Sequence, residues 1–185
     1  DGVEIDSELS EIGRRFFEMD NPRLRLFHED ARPYLRRTDV RYDVISVDAY
    51  RQPYIPFYLA TREFFELARD RLAPGGVLIL NAGHPESSDD LEKVLTASIG
   101  EAFPHVLRDP IEDTNTLIVA SEAPLSKERL QRAALRLPTG LQPTAVAAAE
   151  RVGAPLEGGR VYTDDKAPVE WLIDKSIVDY ASSGD

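Results

Sequence analysis

Apolar stretches that read as strands alternate with amphipathic helical patterns through the first two thirds of the chain. The stretches "YDVISVD" (42–48) and "VLILNAG" (77–83) flank "TREFFELARDRL" (61–72), whose apolar residues recur at helical spacing. Since parallel strands need a crossover connection, usually a helix, this alternation predicts an α/β domain with a mostly parallel sheet. Two further strands, "HVLRD" (105–109) and "TLIVAS" (116–121), are a hairpin's separation apart and predict an antiparallel edge.

Shorter elements precede this region. "VEI" (3–5) and "RLRLFH" (23–28) read as strands. "SELSEIGRRFFEM" (7–19) reads as a helix with Ser7 as its N-cap, and "ARPYLRR" (31–37) reads as a short helix with proline in its first turn. The pattern therefore predicts two strand–helix units before the stretch at 42–48.

The remaining expectations concern burial, helix ends and domain organisation. We expect the strand 42–48 to be buried, and the helix that follows it to end at a tight turn in "APGG" (73–76). After Ala123 the strand–helix alternation stops, and helical and Pro/Gly/Ala-rich stretches follow. We therefore predict a Rossmann-like nucleoside-cofactor-binding domain over 1–123 and a helical extension over 124–185, packed on the same domain.

Composition excludes several classes of function. The 22 basic and 33 acidic residues give a net charge of −11, which repels nucleic acid and attracts cations. The chain has no cysteine, and its histidines, at 28, 84 and 105, lack ligand spacing, so we expect no metal site. No apolar run approaches the roughly 20 residues of a membrane span, and no signal peptide is present. These features predict a cytoplasmic protein, unless a membrane segment outside this chain tethers it.

Three acids follow successive predicted strands. Glu4, Asp30 and Asp48 come at or just after the strand ends, and ligands of open α/β sheets bind beyond the carboxyl ends of the strands. One carboxylate can accept hydrogen bonds from both hydroxyls of a ribose. The alternative is that Glu4 and Asp30 cap the helices that follow them. The pattern favours a nucleoside site at one sheet edge, with helix capping left open.

The glycine-rich loop of nucleoside-binding folds is missing from its expected place. No G-x-G-x-x-G stands before the first acidic strand end. We expect that the chain lacks its natural N-terminal portion, including the first strand and this loop, so that by itself it binds a nucleoside weakly. The alternative is a degenerate domain that has lost the loop.

Four motifs together resemble the spermidine synthase (polyamine aminopropyltransferase) family. They are "VEID" (3–6), "HEDARPYL" (28–35), "YDVISVDAYRQPYIP" (42–56) and "LATREFFELARDRLAPGGVLILN" (59–81). The run "IPFYLATRE" (55–63) and the late "TDDKAPVE" (163–170) are similar to a divergent branch of that family. The resemblance implies a Rossmann-like, S-adenosylmethionine-dependent methyltransferase fold with a mostly parallel sheet, an antiparallel edge and a C-terminal helical appendage.

The resemblance also implies roles for individual residues. Glu4 would hold the ribose of decarboxylated S-adenosylmethionine, and Asp30, with Ala31 beside it, would bind the adenine. Asp48 would be the catalytic acid that orients the attacking amine and helps to remove its proton, since such an amine must be deprotonated and held in line.

The sequence departs from the family pattern around the acceptor. Arg51 stands where the family has a second aspartate, and an arginine there repels a cationic substrate. Tyr50 and Tyr54 remain candidates to line an amine pocket through cation–π contacts. Three functions stay open at this point: an aminopropyltransferase, an S-adenosylmethionine-dependent methyltransferase, and a non-catalytic binding domain. The expected ligands are decarboxylated or ordinary S-adenosylmethionine and a small amine or polyamine, and a second copy of the chain is a candidate partner.

Overall fold

The computed structural model describes residues 1–50, 54–86 and 88–183. The chain forms two compact units, Asp1–Val40 and Arg41–Asp185. Within the described residues, no helix is both long enough and apolar enough to cross a bilayer.

The first unit contains two parallel strand–helix pairs. Its elements are β1 (Gly2–Val3), α1 (Ser7–Phe16), β2 (Leu26–Phe27) and α2 (Ala31–Arg37). β1 and β2 pair in parallel, with Gly2 opposite Leu26 and Val3 opposite Phe27. The predicted N-cap of α1 was wrong by one residue. Asp6 caps the helix by accepting a 2.9 Å hydrogen bond from the Glu8 main-chain N–H, because its short carboxylate reaches the unpaired N–H groups of the first turn.

The second unit is a mixed sheet covered by helices. Its elements are β3 (Tyr42–Val47), a short 3-10 helix (Phe57–Leu59), α3 (Arg62–Asp70), β4 (Leu72–Gly83), α4 (Asp90–Ala102), β5 (His105–Glu112), β6 (Asn115–Ser121), α5 (Lys127–Ala134), α6 (Gln142–Arg151) and α7 (Val169–Ser183). The strand order is β3-β4-β6-β5. β3 and β4 are parallel, and β6 is antiparallel to both β4 and β5. The α/β architecture and the antiparallel edge predicted from the sequence are confirmed.

β3 is less buried than its sequence suggested. Val47 is buried, but Val44 is 52% exposed. Among the described residues β3 pairs with β4 alone, which makes it an edge strand of this sheet. An apolar run of this length is equally compatible with an edge strand.

The "APGG" stretch lies inside β4 and does not form the predicted turn after a helix. α3 ends at Asp70, and β4 begins at Leu72. The pairing register shifts between Tyr42 and Val44 of β3 to accommodate the extra residues, as in a bulge. A side chain at Gly76 would come within 2.9 Å of the Tyr42 carbonyl oxygen, so the close backbone approach requires glycine.

The core of the second unit lies between the sheet and α3, α4 and α7. The largest fully buried apolar side chains are Ile55, Phe65, Leu78, Leu80, Leu95, Ile99, Ile118 and Val169. The interior also contains an ion pair: Glu92 of α4 is completely buried and accepts two hydrogen bonds from Arg108 of β5, at 2.6 and 2.8 Å.

The segment Tyr162–Asp164 fastens the C-terminal part of the chain to α3 and α4. The Tyr162 carbonyl accepts a 2.8 Å bond from the Arg62 N–H, and the Tyr162 N–H donates to the Ser98 hydroxyl at 2.9 Å. α5, α6 and α7 thus belong to the same unit as the sheet. The domain boundary proposed at Ala123 stays a prediction.

Candidate active site

In the first unit, Glu4 and Asp30 follow the two parallel strands at their carboxyl ends. Oε1 of Glu4 accepts a 2.9 Å bond from the Asp6 N–H. Oδ1 of Asp30 accepts a 2.8 Å bond from the Arg32 N–H and caps α2, whose first residue is Ala31. Helix capping is therefore one role of Asp30.

In the second unit, Asp48 follows β3 beside the end of β4. Val47 is opposite Leu80 in the parallel register, so the next residues on the two strands, Asp48 and Asn81, are neighbours. Nδ2 of Asn81 donates a 3.0 Å hydrogen bond to Oδ1 of Asp48. This bond holds the carboxylate in one orientation. The expectation that Asp48 shares one sheet edge with Glu4 and Asp30 stays a prediction.

Asn81 is a site residue that sequence reasoning missed. Its Oδ1 is buried and has no hydrogen-bond partner among the described residues. Buried acceptors are normally satisfied, so this oxygen, next to the Asp48 carboxylate, is an exception. The available signal was its position: an amide side chain near the carboxyl end of an apolar strand, in the strand that follows Asp48's own.

Tyr50 connects the ends of β3 and β4. Its hydroxyl donates to the Asn81 carbonyl at 2.8 Å and accepts from the Gly83 N–H at 2.7 Å. Burial raises the pKa of this hydroxyl above its ordinary value, so the phenol remains a donor at neutral pH. Asn81 thus contacts Asp48 with its side chain and Tyr50 with its main chain.

Two other residues were predicted to bind the amine acceptor: Tyr54 contacts the last helix, and Arg51 is not among the described residues. The Tyr54 hydroxyl donates a 2.7 Å bond to Oδ1 of Asp174 in α7. That hydrogen bond raises the pKa of Tyr54. The tyrosines predicted to face an amine therefore have different surroundings: Tyr50 is held between two strand ends, and Tyr54 is bound to the last helix.

A cavity of about 370 Å³ lies next to Tyr50. It is bounded by the loop after β4, the first turn of α4 and one side of α7. Its volume falls within the range of about 300–1,000 Å³ that is common for small-molecule sites. Within the described ranges, no group of three or more His, Asp or Glu side chains is arranged to hold a metal ion.

Comparison with known proteins places these features in a family. The sequence profile of the Spermine/spermidine synthase domain matches residues 1–111. A "Probable polyamine aminopropyl transferase" of Bifidobacterium longum is 30% identical over an alignment that includes 97% of this chain and 46% of that protein. The chain spans about half the length of the curated relatives it matches.

Solved structures agree on the fold. A probable spermidine synthase from Corynebacterium glutamicum has a TM-score of 0.61 and 25% identity, over 85% of this chain and 63% of that protein. Human methyltransferase-like protein 13, solved with SAH, has a TM-score of 0.57 and 23% identity, over 80% and 68% of the two chains. The second likeness concerns the fold alone, the Rossmann-like methyltransferase fold. The strand-end acids, the profile match and these relatives together lead to one conclusion: the chain belongs to the spermine/spermidine synthase family.

Proposed function

We propose that the protein transfers an aminopropyl group from decarboxylated S-adenosylmethionine to an amine acceptor. The observation that carries the proposal is the pair formed by Asp48 and Asn81. An exposed carboxylate that receives a hydrogen bond from an amide offers its oxygens as acceptors to an amino group. Such an arrangement suits an amine nucleophile better than an anionic or apolar acceptor.

The reaction is a displacement at carbon. The amine nitrogen forms a bond to the propyl carbon next to the sulfonium, while the carbon–sulfur bond breaks and its electron pair neutralises sulfur, giving a thioether nucleoside. The amine must enter this step unprotonated, with its lone pair aligned toward the carbon. Asp48 accepts the amine proton, and the hydrogen bond from Asn81 holds the carboxylate for that task.

The nucleoside is assigned to the first unit. Glu4 accepts hydrogen bonds from the ribose hydroxyls, and Asp30, at the start of α2 with Ala31, accepts from the adenine amine. Support comes from the position of both acids after parallel strands and from the family profile, which includes them. The net charge of −11 favours a cationic acceptor over an anionic one.

Product analysis of the full-length protein tests the proposal. The protein is incubated with decarboxylated or ordinary S-adenosylmethionine and a panel of aliphatic amines, and the products are identified by mass spectrometry. We expect an aminopropylated amine. Asp48→Asn should lower the transfer rate by about a hundredfold or more, the scale of general base catalysis. Asp43→Asn is the matched control, because Asp43 lies on the same strand with an exposed side chain.

Other outcomes distinguish the alternatives. A methylated product from ordinary S-adenosylmethionine would replace the proposal with a methyltransferase, the class represented by the human neighbour of the same fold. Nucleoside binding without any transfer would identify a binding domain. An Asp48→Asn variant as active as wild type would remove Asp48 from the mechanism.

A further inference from the structure

We infer that the cavity next to Tyr50 binds the alkyl chain and the distal ammonium of the acceptor amine, with Asp90 as the ammonium partner and Lys175 as an internal competitor for Asp90. This assignment deepens the proposed function and rests on it for the identity of the ligand as the acceptor.

The walls of the cavity suit an aliphatic chain. Leu91 of α4 faces it together with Leu172, Ile173 and Ile177 of α7. Methylene groups gain free energy when they leave water for such a surface. The hydroxyls of Tyr50 and Ser176 are already engaged, Tyr50 as described and Ser176 as a donor to the Ile173 carbonyl. The cavity therefore offers apolar contact along most of its length.

Its charge suits a cation. Asp90 is the one carboxylate among the described lining residues, and no lysine or arginine lies among them. His84, which also lines the cavity, has both ring nitrogens in contact with protein oxygens, at 3.2 Å from the Pro85 carbonyl and 3.3 Å from the Thr116 hydroxyl. An ammonium in the cavity therefore meets one fixed negative charge.

Lys175 already supplies Asp90 with a cation. Its Nζ lies 3.7 Å from Oδ2 of Asp90, and the two side chains are 49% and 46% exposed. A pair this exposed and this long is weak, so a ligand ammonium held by the apolar walls can displace it. The Lys175 side chain then points into solvent, and the loss of its ion pair reduces the affinity for the ligand only slightly.

The cavity adjoins the proposed reaction site. Tyr50 lines it and is bonded to the Asn81 carbonyl, while the Asn81 side chain is bonded to Asp48. Asp48 itself lies outside the lining. An amine with its far end at Asp90 would run along α7 toward Tyr50, so that its near end is directed to the Asp48–Asn81 pair.

A second lysine–aspartate pair, at the start of α4, serves as a matched control for Lys175–Asp90. Lys93 lies 3.7 Å from Asp89, with side chains 35% and 50% exposed, and neither residue lines the cavity. The pairs Lys175–Asp90 and Lys93–Asp89 thus have the same distance and similar exposure, and their acids are adjacent in sequence. They differ in whether the acid faces the cavity.

Calorimetric titration of the full-length protein with 1,4-diaminobutane is the test. Asp90→Asn should weaken binding by about tenfold to a hundredfold, as for loss of a charged hydrogen bond. Lys175→Gln should strengthen binding by up to about fivefold, because it removes the competitor. Asp89→Asn and Lys93→Gln should leave binding unchanged. Circular dichroism checks that each variant is folded. If Asp90→Asn fails to fold, the gain in Lys175→Gln carries the test.

The direction in which each variant changes the affinity for the diamine tests the assignment of Asp90 and Lys175. Equal losses in Asp89→Asn and Asp90→Asn, or weaker binding in Lys175→Gln, would overturn the assignment. Binding needs no group transfer, so the two proposals can fail separately. Diamine binding with the expected pattern but no transfer would refute the proposed function and leave the amine site. Transfer together with wild-type affinity in the Asp90 and Lys175 variants would refute the amine site alone.

Discussion

The hydroxyl of Thr61 donates a 2.7 Å hydrogen bond to Oδ1 of Asp164, across 103 residues of sequence. Thr61 is completely buried and also caps α3, accepting a 3.3 Å bond from the Phe64 N–H. The "TRE" that begins α3 and the late "TDD" are therefore parts of one structure. This gives the segment Thr163–Glu170, which has no interpretable pattern of its own, a structural role at its first acid, Asp164.

Thr61→Val should lower the free energy of unfolding by about 1–3 kcal/mol, because it removes a helix cap and leaves Asp164 without this donor. Urea denaturation measures the loss. Thr61→Ser keeps the hydroxyl and should recover most of it. In a double-mutant cycle with Asp164→Ala, the coupling should be at least about 0.5 kcal/mol. Additive losses would show that the hydrogen bond contributes nothing of its own.

Glu63 should make the same junction sensitive to acid. Burial alone would raise the pKa of Glu63, but main-chain hydrogen bonds, including one from the Asp164 N–H, and the Arg62 guanidinium lower it below its ordinary value of 4.5. A carboxyl whose pKa is lowered by folding contributes stability above its unfolded pKa and loses it as the pH falls through the folded value.

Glu63→Gln should thus be less stable than wild type at pH 7 by about 1 kcal/mol or less. This difference in the free energy of unfolding should shrink as the pH falls below about 4.5. It should vanish once Glu63 of the wild type is protonated and is as neutral as the glutamine. Denaturation curves over this range measure it. A gap that stays constant with pH would mean that the charge of Glu63 is irrelevant.

The buried pair of Glu92 and Arg108 should be sensitive to the loss of one partner. Arg108→Met leaves the completely buried Glu92 without its two charged hydrogen bonds. We expect a cost of about 3–5 kcal/mol. Arg69→Met removes a partner from the exposed pair with Asp70 and should cost no more than about 1 kcal/mol. Thermal or chemical denaturation compares the two, and similar losses would contradict this account.

A side chain at Gly159 should be tolerated poorly. A Cβ there would overlap the main-chain carbonyl of Lys93 in α4, and a main-chain atom cannot give way as a flexible side chain can. Gly159→Ala should destabilise the fold by about 1–3 kcal/mol. Gly140→Ala is the control, since a Cβ at Gly140 meets nothing within 4 Å. Equal stability of the two variants would show that the segment simply shifts away.

Arg51→Asp tests the one departure from the family pattern that the structure does not describe. Two like charges about 4 Å apart cost a few kcal/mol at an effective dielectric near 20. If Arg51 faces the acceptor, Arg51→Asp in the full-length protein should raise diamine-dependent turnover by about tenfold or more. Arg132→Asp makes the same change of charge on the exposed side of α5. No change in Arg51→Asp would place Arg51 outside the pocket.

Local sequence patterns were sufficient to predict most helices and strands. The bulge and the contacts between elements depend on residues that are far apart in the sequence. The apolar spacing of "TREFFELARDRL" predicted α3, and the short separation of "HVLRD" and "TLIVAS" predicted the hairpin of β5 and β6. The bulge at Gly76 depends on carbonyls of β3 more than 30 residues away, and the Thr61 hydroxyl donates to a carboxylate 103 residues away. Such contacts have no local signature.

The candidate site divides in the same way. Asp48 could be chosen because an acid after an apolar strand requires solvent, a partner or a use. For Asn81 the sequence offered only its position near the end of the next apolar strand, and the register of Val47 with Leu80 is what makes it a neighbour of Asp48. Sequence patterns place a residue at a strand end, whereas partners across a sheet depend on pairing register.

The separation of Thr61 and Asp164 has a consequence during synthesis. A ribosome adds about 5–20 residues per second, so a nascent chain that has completed the start of α3 waits on the order of 5–20 s for Asp164 to be made. Throughout that interval Thr61 lacks its carboxylate and the Ser98 hydroxyl lacks the Tyr162 N–H. The second unit can therefore close these contacts only after Asp164 has been made, and a ribosome that stalls after β6 holds a sheet whose helices α3 and α4 are not yet fastened.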